Sequence, residues 1–464
     1  MMQPGEAELA VFESLSRRPC TGREAAALVL ARQRRTGQFA SELLNRVELS
    51  SQIERMRATD LTLGTVRRQL TLTTVLGSFL SRPWSGVEPG LQILMTLGAG
   101  EVLFLRTPEH AAVSETVELA RRIGRPRWTG FLNGVLRQLS RETSGEEPFQ
   151  VSEDAVPIRD GVCRRIDRAV FSSPETDFSG WFSQAFGLNP WLAERWSSRY
   201  STRELVDLGN RCNEPAAFCL RVNTLVTTRD RIRRRLLGQG IEAKDGSTPE
   251  SVRLAGTIPI RELPGHAEGW LTVQDESAMG AAVLLDPKPG ESVLDLCAAP
   301  GTKTTHLAER MTNSGRIVAT DVNASRLGRI ESNSKRLGIR IVEPLLIGPD
   351  GAGIPDAPFD AVLADVPCTN SGVLARRPEA RRRLDYDELQ RLVRLQRRLL
   401  KLACLVVRPG GRVVYSTCSI EPEENEQLVR GVCEEIPEIT LRSEQLHFPG
   451  KPGDGAYQAL LARQ

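Results

Sequence analysis

The chain has 464 residues, 40% of them hydrophobic and 26% charged, with a formal net charge of +3. That length exceeds what one hydrophobic core supports and predicts roughly two to four domains, while no run approaches the ~18 apolar residues of a membrane span. The acidic opening MMQPGEAELAVFES lacks the apolar core of a secretory signal, so a cytoplasmic protein is expected.

Nine cysteines (20, 163, 212, 219, 297, 368, 404, 418, 433) without a CxxC pair, beside only four histidines, argue against a disulfide framework and a zinc site. The cations are 55 Arg and 6 Lys, a skew that reflects composition more than arginine chemistry. Residues 1–140 hold 18 Arg against 13 acids, and residues 141–180 hold 5 against 9. A basic head with an acidic connector suits a polyanion partner, and equally suits an ordinary solvated surface.

Taken in chain order, residues 20–140 carry apolar positions at helical spacing (GREAAALVLARQRR, GLQILMTLGAGEVLFL, AAVSETVELARRI, GFLNGVLRQL), predicting an all-α domain over 1–145. The polar stretch SRETSGEEPFQVSEDAVPIRDG predicts a linker over 146–185. Short β-like runs (FCLRVNTL, SVRLAG, WLTVQD) around a helical TTRDRIRRRLLGQG predict a small α+β subdomain over 186–285. From 286 to 464 strands and helices alternate, which predicts a parallel, doubly wound, Rossmann-like sheet with ligands at the carboxyl ends of its strands.

Three constellations fall at such ends. In VLDLCAAPGTKT (293–304) an apolar strand enters a turn whose small residues Ala298, Ala299 and Gly301 would let a ligand approach the backbone at a helix N-terminus. It is neither GxGxxG nor GxxxxGK[ST]. The next strand ends in Asp321, suited to ribose hydroxyls; the alternative is a tight turn with a capping Asp. In FDAVLADVPCTNSGVLARRPEARRRL (359–384), Asp365 at a strand tip is a candidate for a base edge, with Cys368 just beyond it. The Arg run at 376–383 is a candidate phosphate contact or a solvated helix start. In VVYSTCSIEPEEN (413–425), Pro422, Glu423 and Glu424 fit the first turn of a helix directly after Cys418. Taken alone Cys418 reads as a packing cysteine. Two cysteines at neighbouring strand tips beside a nucleoside-type loop instead suggest a chemistry that needs two thiols.

These residues resemble the bacterial 16S rRNA cytosine-C5 methyltransferases of the RsmB (Sun, Fmu) type. LDLCAAPGTKT looks like their S-adenosylmethionine loop with Thr302 in place of a Gly, DVPCTNSGVLARRPEAR like their DxPC motif, and YSTCSIEPEENE like their STC motif. NPWLAERW, NEPAAFCLRVNTL and VQDESA resemble their small RNA-facing subdomain, and HAAVSETVELA and GFLNGVLRQL the NusB-like helical RNA-binding domain of this branch.

The resemblance implies an S-adenosylmethionine-dependent RNA methyltransferase with no metal, acting, most simply as a monomer, on unstacked or single-stranded 16S rRNA. It implies that the donor is held by Cys297, Ala298, Ala299, Pro300, Gly301, Thr302 and Lys303, by Asp321, by Asp350 after the third strand, and by Asp365. It implies further that Cys418 attacks C6 of cytosine, that Cys368 assists release, and that Asp365 engages the N3 side of the ring. Two alternatives stay open: a tRNA cytosine-C5 methyltransferase, and a catalytically idle RNA-binding ribosome-assembly factor.

Overall fold

The computed structural model of the chain describes residues 9–105, 107–256, 258–349, 351–355, 358–450 and 453–464, the side chains of Glu109 and Arg261 excepted. Two compact units result, one reaching Glu214 and including Arg377–Leu384, the other comprising Pro215–Arg376 and Asp385–Gln464.

Among the described residues, a 3-10 helix (Val11–Arg17) of the first unit is followed by the α-helices α1 (Gly22–Thr36), α2 (Ala40–Leu44), α3 (Gln52–Arg67), α4 (Gln69–Gly77), α5 (Pro89–Phe104), α6 (Glu109–Arg122) and α7 (Thr129–Glu142). Local sequence sets the limits of α1: Thr21 and Glu24 form a reciprocal capping box, and Gly37 closes the helix at φ 66°. Nearly all of α5 is buried, and Arg23 of α1 pairs with its Glu101 inside the bundle.

The expected linker is folded. Residues 146–185 supply β1 (Glu147–Pro148), β2 (Ala155–Arg159) and β3 (Val162–Arg165), an antiparallel sheet in the order β1-β3-β2, and α8 (Phe178–Phe186). Aromatic residues explain why. Phe149 stacks on Trp181 at 6.4 Å, and Trp181, Phe182 and Phe186 are fully buried, so the polar stretch forms the turns around an apolar cluster. Helices α9 (Pro190–Ser197) and α10 (Thr202–Asn213) also pack in this unit, which reaches Glu214.

In the same unit, Glu379 accepts from the Ala40 N–H (2.8 Å) and Gln33 Nε2 (3.3 Å). Arg381, 2% exposed, donates to the carbonyls of Cys212 (2.9 Å), Gly187 (3.2 Å) and Arg67, and to Asn213 Oδ1 (3.1 Å). Arg381 is therefore a buried carbonyl clamp and is not a phosphate contact. Arg376, in the second unit, is likewise committed, to Asp454 and to Asp275 (2.8 Å).

The second unit opens with an antiparallel sheet of β4 (Phe218–Val222), β5 (Ala243–Asp245), β6 (Ser251–Leu254) and β7 (Leu271–Val273), ordered β5-β6-β4-β7. It is covered by α11 (Arg229–Leu237) through Ile232 and Leu236. Next comes α12 (Glu276–Leu285), and then a seven-stranded sheet: β8 (Ser292–Asp295), β9 (Arg316–Asp321), β10 (Val342–Leu346), β11 (Phe359–Asp365), β12 (Val407–Thr417), β13 (Ile439–His447) and β14 (Ala456–Arg463), ordered β10-β9-β8-β11-β12-β14-β13. The first five in that order are parallel, and β14 is antiparallel to both neighbours, which departs from the expected all-parallel sheet.

Strand alternation builds a core on each face. Phe359, Val362 and Ala364 of β11 join Val413 and Tyr415 of β12 on the face covered by α15 (Tyr386–Val406) and α16 (Glu426–Glu435). Ala361, Leu363 and Val414 point to the other face, under α12 and α13 (Thr302–Arg310). Strand order reverses at β8, so the crevice at the carboxyl ends of β8 and β11 is the topological switch point.

Arg221 of β4 joins the small sheet to this crevice. It is fully buried and donates to Glu309 (2.8 and 3.0 Å), Thr305 Oγ1 (2.9 Å) and the Thr302 carbonyl (2.6 Å), all on α13. Arg221→Ala leaves the Glu309 carboxylate buried without its partner and should destabilise the second unit by about 3–5 kcal/mol in urea denaturation, whereas Arg221→Met with Glu309→Met should lose far less.

Candidate active site

The carboxyl ends of β8, β9, β11 and β12 carry Asp295, Asp321, Asp365 and Thr417, and pairing in register brings them to one edge: Asp295 lies opposite Leu363, and Asp365 opposite Ser416. Beyond β8 the chain turns through Cys297–Gly301 into α13. Gly301 takes φ 95°, and a Cβ there would lie 3.2 Å from Ile330 of α14 (Ala324–Leu337), so this turn requires glycine. Ala298 and Ala299 are small for a related reason, because they pack on Ala319, Leu327 and Ile330. Thr302, which stands where the resembling family has Gly, is the first residue of α13. Cys297 lies against the core, where burial and the neighbouring carboxylates push its thiol well above the ordinary range.

Asp321 is buried at the tip of β9. Its carboxylate accepts from the Asn323 N–H (2.9 Å) and faces the Arg326 guanidinium at 3.4 Å. Arg326 also donates to the Ala299 carbonyl (2.6 Å), so the Cys297–Gly301 turn and the strand tip are braced together. Asp350, the expected third acid, lies outside the described residues.

Asp365 is gripped from two sides, by the Lys303 ammonium at Oδ2 (2.7 Å) and the Ser416 hydroxyl at Oδ1 (3.0 Å). Burial pulls the Lys303 ammonium down, but the Asp365 charge and hydrogen bond outweigh it, and Lys303 is held above its usual value. Both groups are partly accessible, at 30% for the Asp365 side chain and 16% for Lys303. A polar ligand at the sheet edge can therefore reach them.

The two cysteines meet. Cys368 Sγ and Cys418 Sγ lie 3.1 Å apart, Cys368 buried and Cys418 half-buried. Their loops are bonded backbone to backbone, the Gly372 N–H donating to the Cys418 carbonyl (3.1 Å). Behind them Glu424, with no exposed surface, accepts from the Thr369 N–H (2.9 Å), the Thr369 hydroxyl and Gln396 Nε2 (2.8 Å). Ser419 adds contacts at 3.1 Å to both Thr369 and Ser371. The first-turn role expected for Glu424 is thus corrected. Pro422–Glu424 form a short 3-10 turn before α16, and the Glu424 side chain points inward, where two donors of Thr369 in the Cys368 loop and one of Gln396 on α15 face it. Contact with Cys418, burial and the Glu424 charge all push the Cys368 thiol up, so Cys368 is protonated at neutral pH.

Asp295, Asp321 and Asp365 lie at one edge of the sheet and the two cysteines meet beside it; Glu424 stands in a different place from that expected, and Asp295, Asn370 and Ser416 were not singled out. Their only sequence signal was adjacency to the motifs. Asp295 lies at the end of β8, before the Cys297–Gly301 turn. It is 1% exposed, Oδ2 accepts from Thr304 Oγ1 (2.7 Å), and Oδ1 is without a partner among the described residues. An orphaned buried acceptor under a glycine turn and a helix N-terminus, with Asp321 alongside, fits a polar nucleoside ligand with a charged tail.

Residues 282–459 match the family model for 16S rRNA methyltransferase RsmB/F, residues 21–141 that of the NusB family, and residues 189–261 the ferredoxin-like domain of RsmF/B-like methyltransferases. Ribosomal RNA small subunit methyltransferase B of Salmonella paratyphi C is 34% identical over 418 residues, 87% of this chain and 90% of that protein. The chain belongs to the RsmB/F family of 16S rRNA methyltransferases.

Among solved structures, that of PH0851 superposes with a TM-score of 0.74 at 26% identity, covering 100% of both chains. A methyltransferase homolog from Pyrococcus horikoshii gives 0.56 at 30% identity, covering 63% of this chain and 100% of its own. As an RsmB/F protein, the chain is an S-adenosylmethionine-dependent rRNA methyltransferase with a NusB-like helical region, a ferredoxin-like domain and a Rossmann-like catalytic domain. Among the described residues no helix is long and apolar enough to cross a membrane.

Burial pushes Asp295 up to about 7 from the ordinary 3.8, against the Thr304 hydrogen bond. The folded state therefore holds a proton that the unfolded state has released between these values. The stability contributed by this group is present at low pH and declines as pH rises through the folded value. Urea denaturation from pH 4 to 8 should show that decline, and Asp295→Asn should remove it.

Proposed function

We propose that this enzyme forms 5-methylcytosine in unstacked 16S rRNA through a covalent adduct between Cys418 and C6 of the target base. The observation that supports it is the pair of sulfurs 3.1 Å apart at the switch-point edge, beside the Lys303–Asp365 pair. Methylation at a base or ribose heteroatom, which is already nucleophilic, needs no thiol. Carbon C5 of cytosine does, because it is a poor nucleophile until a sulfur adds at C6 and enriches it in electrons.

Bound S-adenosylmethionine supplies the electrophilic methyl group; Gly301, Lys303, Asp321 and the Cys297–Pro300 turn are the residues that hold it. Cys418 attacks as thiolate, a few per cent of an ordinary thiol at neutral pH and sufficient because sulfur is intrinsically nucleophilic. Asp365 engages the N3 side of the ring, Lys303 and Ser416 keeping its carboxylate oriented. After transfer the C5 proton passes to water, its electron pair reforms the C5–C6 double bond as the C6–S bond breaks, and the protonated Cys368 thiol beside the adduct gives its proton to the departing Cys418 sulfur. The base must leave its stack for any of this, at a cost of roughly a few kcal/mol that is least for unpaired RNA.

Incubation with labelled S-adenosylmethionine and deproteinised small-subunit rRNA should place label in 5-methylcytosine; label only in tRNA would move the substrate, and unlabelled RNA at saturating protein would remove the enzymatic role. Cys418→Ala should lower transfer by at least about 10³-fold without an adduct. Cys368→Ala should accumulate a denaturant-stable protein–RNA adduct, and the reverse pattern would exchange the two assignments.

A further inference from the structure

The sulfurs of Cys368 and Cys418 lie 3.1 Å apart on loops that leave β11 and β12, neighbouring strands paired in register at Asp365 and Ser416. Those loops are tied to each other through the Gly372 N–H and the Cys418 carbonyl (3.1 Å), the Thr369 and Ser419 hydroxyls (3.1 Å), and Glu424, which accepts from the Thr369 N–H (2.9 Å). The framework around the sulfurs therefore keeps them in contact. A disulfide holds its sulfurs at about 2.05 Å, so about 1 Å of approach separates this pair from a bond, a distance within the reach of side-chain rotation. Access is unequal. Cys418 is half-buried and Cys368 buried, so a small solute meets Cys418 first.

We infer that Cys418 and Cys368 are a site of reversible oxidation by hydrogen peroxide, which closes a disulfide between them and switches methyl transfer off. The loss of activity rests on the roles proposed above for the two thiols; the formation of the bond does not. In the first step the Cys418 thiolate attacks one peroxide oxygen. An S–O bond forms, the O–O bond breaks, and the departing hydroxide takes up the proton that Cys418 released, leaving a sulfenic acid and water. In the second the Cys368 sulfur attacks the Cys418 sulfur. The S–S bond forms, the S–O bond breaks, and the hydroxyl group leaves as water with the Cys368 hydrogen. Two thiols and one peroxide become a disulfide and two waters, the sulfurs losing the two electrons that the peroxide gains. Because the Cys368 hydrogen departs within this step, the burial that keeps its thiol protonated does not prevent it. A second peroxide would carry the sulfenic acid on to sulfinic acid, which thiols do not reverse. A sulfur already in contact reacts intramolecularly and outruns a dilute solute. Cys368 thus stops the oxidation at the reversible stage, and a dithiol restores both thiols by exchange.

The test uses the full-length enzyme, freed of reductant and treated with hydrogen peroxide. Non-reducing peptide mass spectrometry should find the Cys368 and Cys418 peptides joined, and methyl transfer to small-subunit rRNA should fall by at least about 10-fold and return to within about 2-fold on adding dithiothreitol. In Cys368→Ser, followed by mass spectrometry alone, the same treatment should carry Cys418 to sulfinic acid, and dithiothreitol should not recover the thiol. Wild-type Cys418 that survives the treatment, or that is oxidised without a joined peptide, would overturn the inference and leave the proposed function standing. A joined pair that still transfers methyl groups would refute the roles assigned to the two thiols, and the switch with them.

Discussion

Glu424 is a carboxylate with no exposed surface, and the arrangement of the two thiols depends on it. It binds the N–H and hydroxyl of Thr369, one residue beyond Cys368, while its own backbone lies six residues beyond Cys418. The two loops leave neighbouring parallel strands, and Glu424 adds to the Gly372–Cys418 backbone bond and to the buried Ser419 contacts that also join them. Burying a carboxyl group there is costly, and burial pushes Glu424 up despite the hydrogen bonds it receives. Those bonds, with Gln396 from α15, offset the cost, and the sulfurs are held within reach of each other. Partly satisfied, the same network would be worse than an apolar core.

The rest of the site follows the same pattern of polar groups fixed before any ligand arrives. Asp365 is oriented by Lys303 and Ser416, Asp321 by Arg326 and the Asn323 N–H, and the start of α13 by Arg221 reaching across from the ferredoxin-like sheet. Preorganised dipoles and charges lower the reorganisation needed as a reaction proceeds. Arg221 also ties the small sheet to the first turn of α13: a shift of β4 would be felt at Thr302 and Thr305 through a single guanidinium.

Much of this was legible in the sequence because apolar runs ending in Asp295, Asp321 and Asp365 announce parallel strands and their tips. The C-terminal hairpin was not. AYQALLAR is rich in good helix formers, yet it pairs between β12 and β13 as β14, where tertiary pairing overrides propensity. The stretch 146–185 looked like a linker because its polar half is continuous in sequence, while Phe149, Phe178 and Trp181 come together only on folding. Glu424 was expected in the first turn of a helix, since one Glu before a helix looks like another until three buried donors are found facing it.

The central claim is that buried Glu424 sets the geometry in which Cys418 acts. The most direct measurement is single-turnover methyl transfer by Glu424→Ala at saturating S-adenosylmethionine and RNA, with donor affinity and thermal unfolding followed on the same preparation. Misplacing one thiol loop by about 1 Å should slow transfer by about 10²-fold while donor affinity stays within about 2-fold. Transfer within about 3-fold of wild type in a folded Glu424→Ala protein would contradict it.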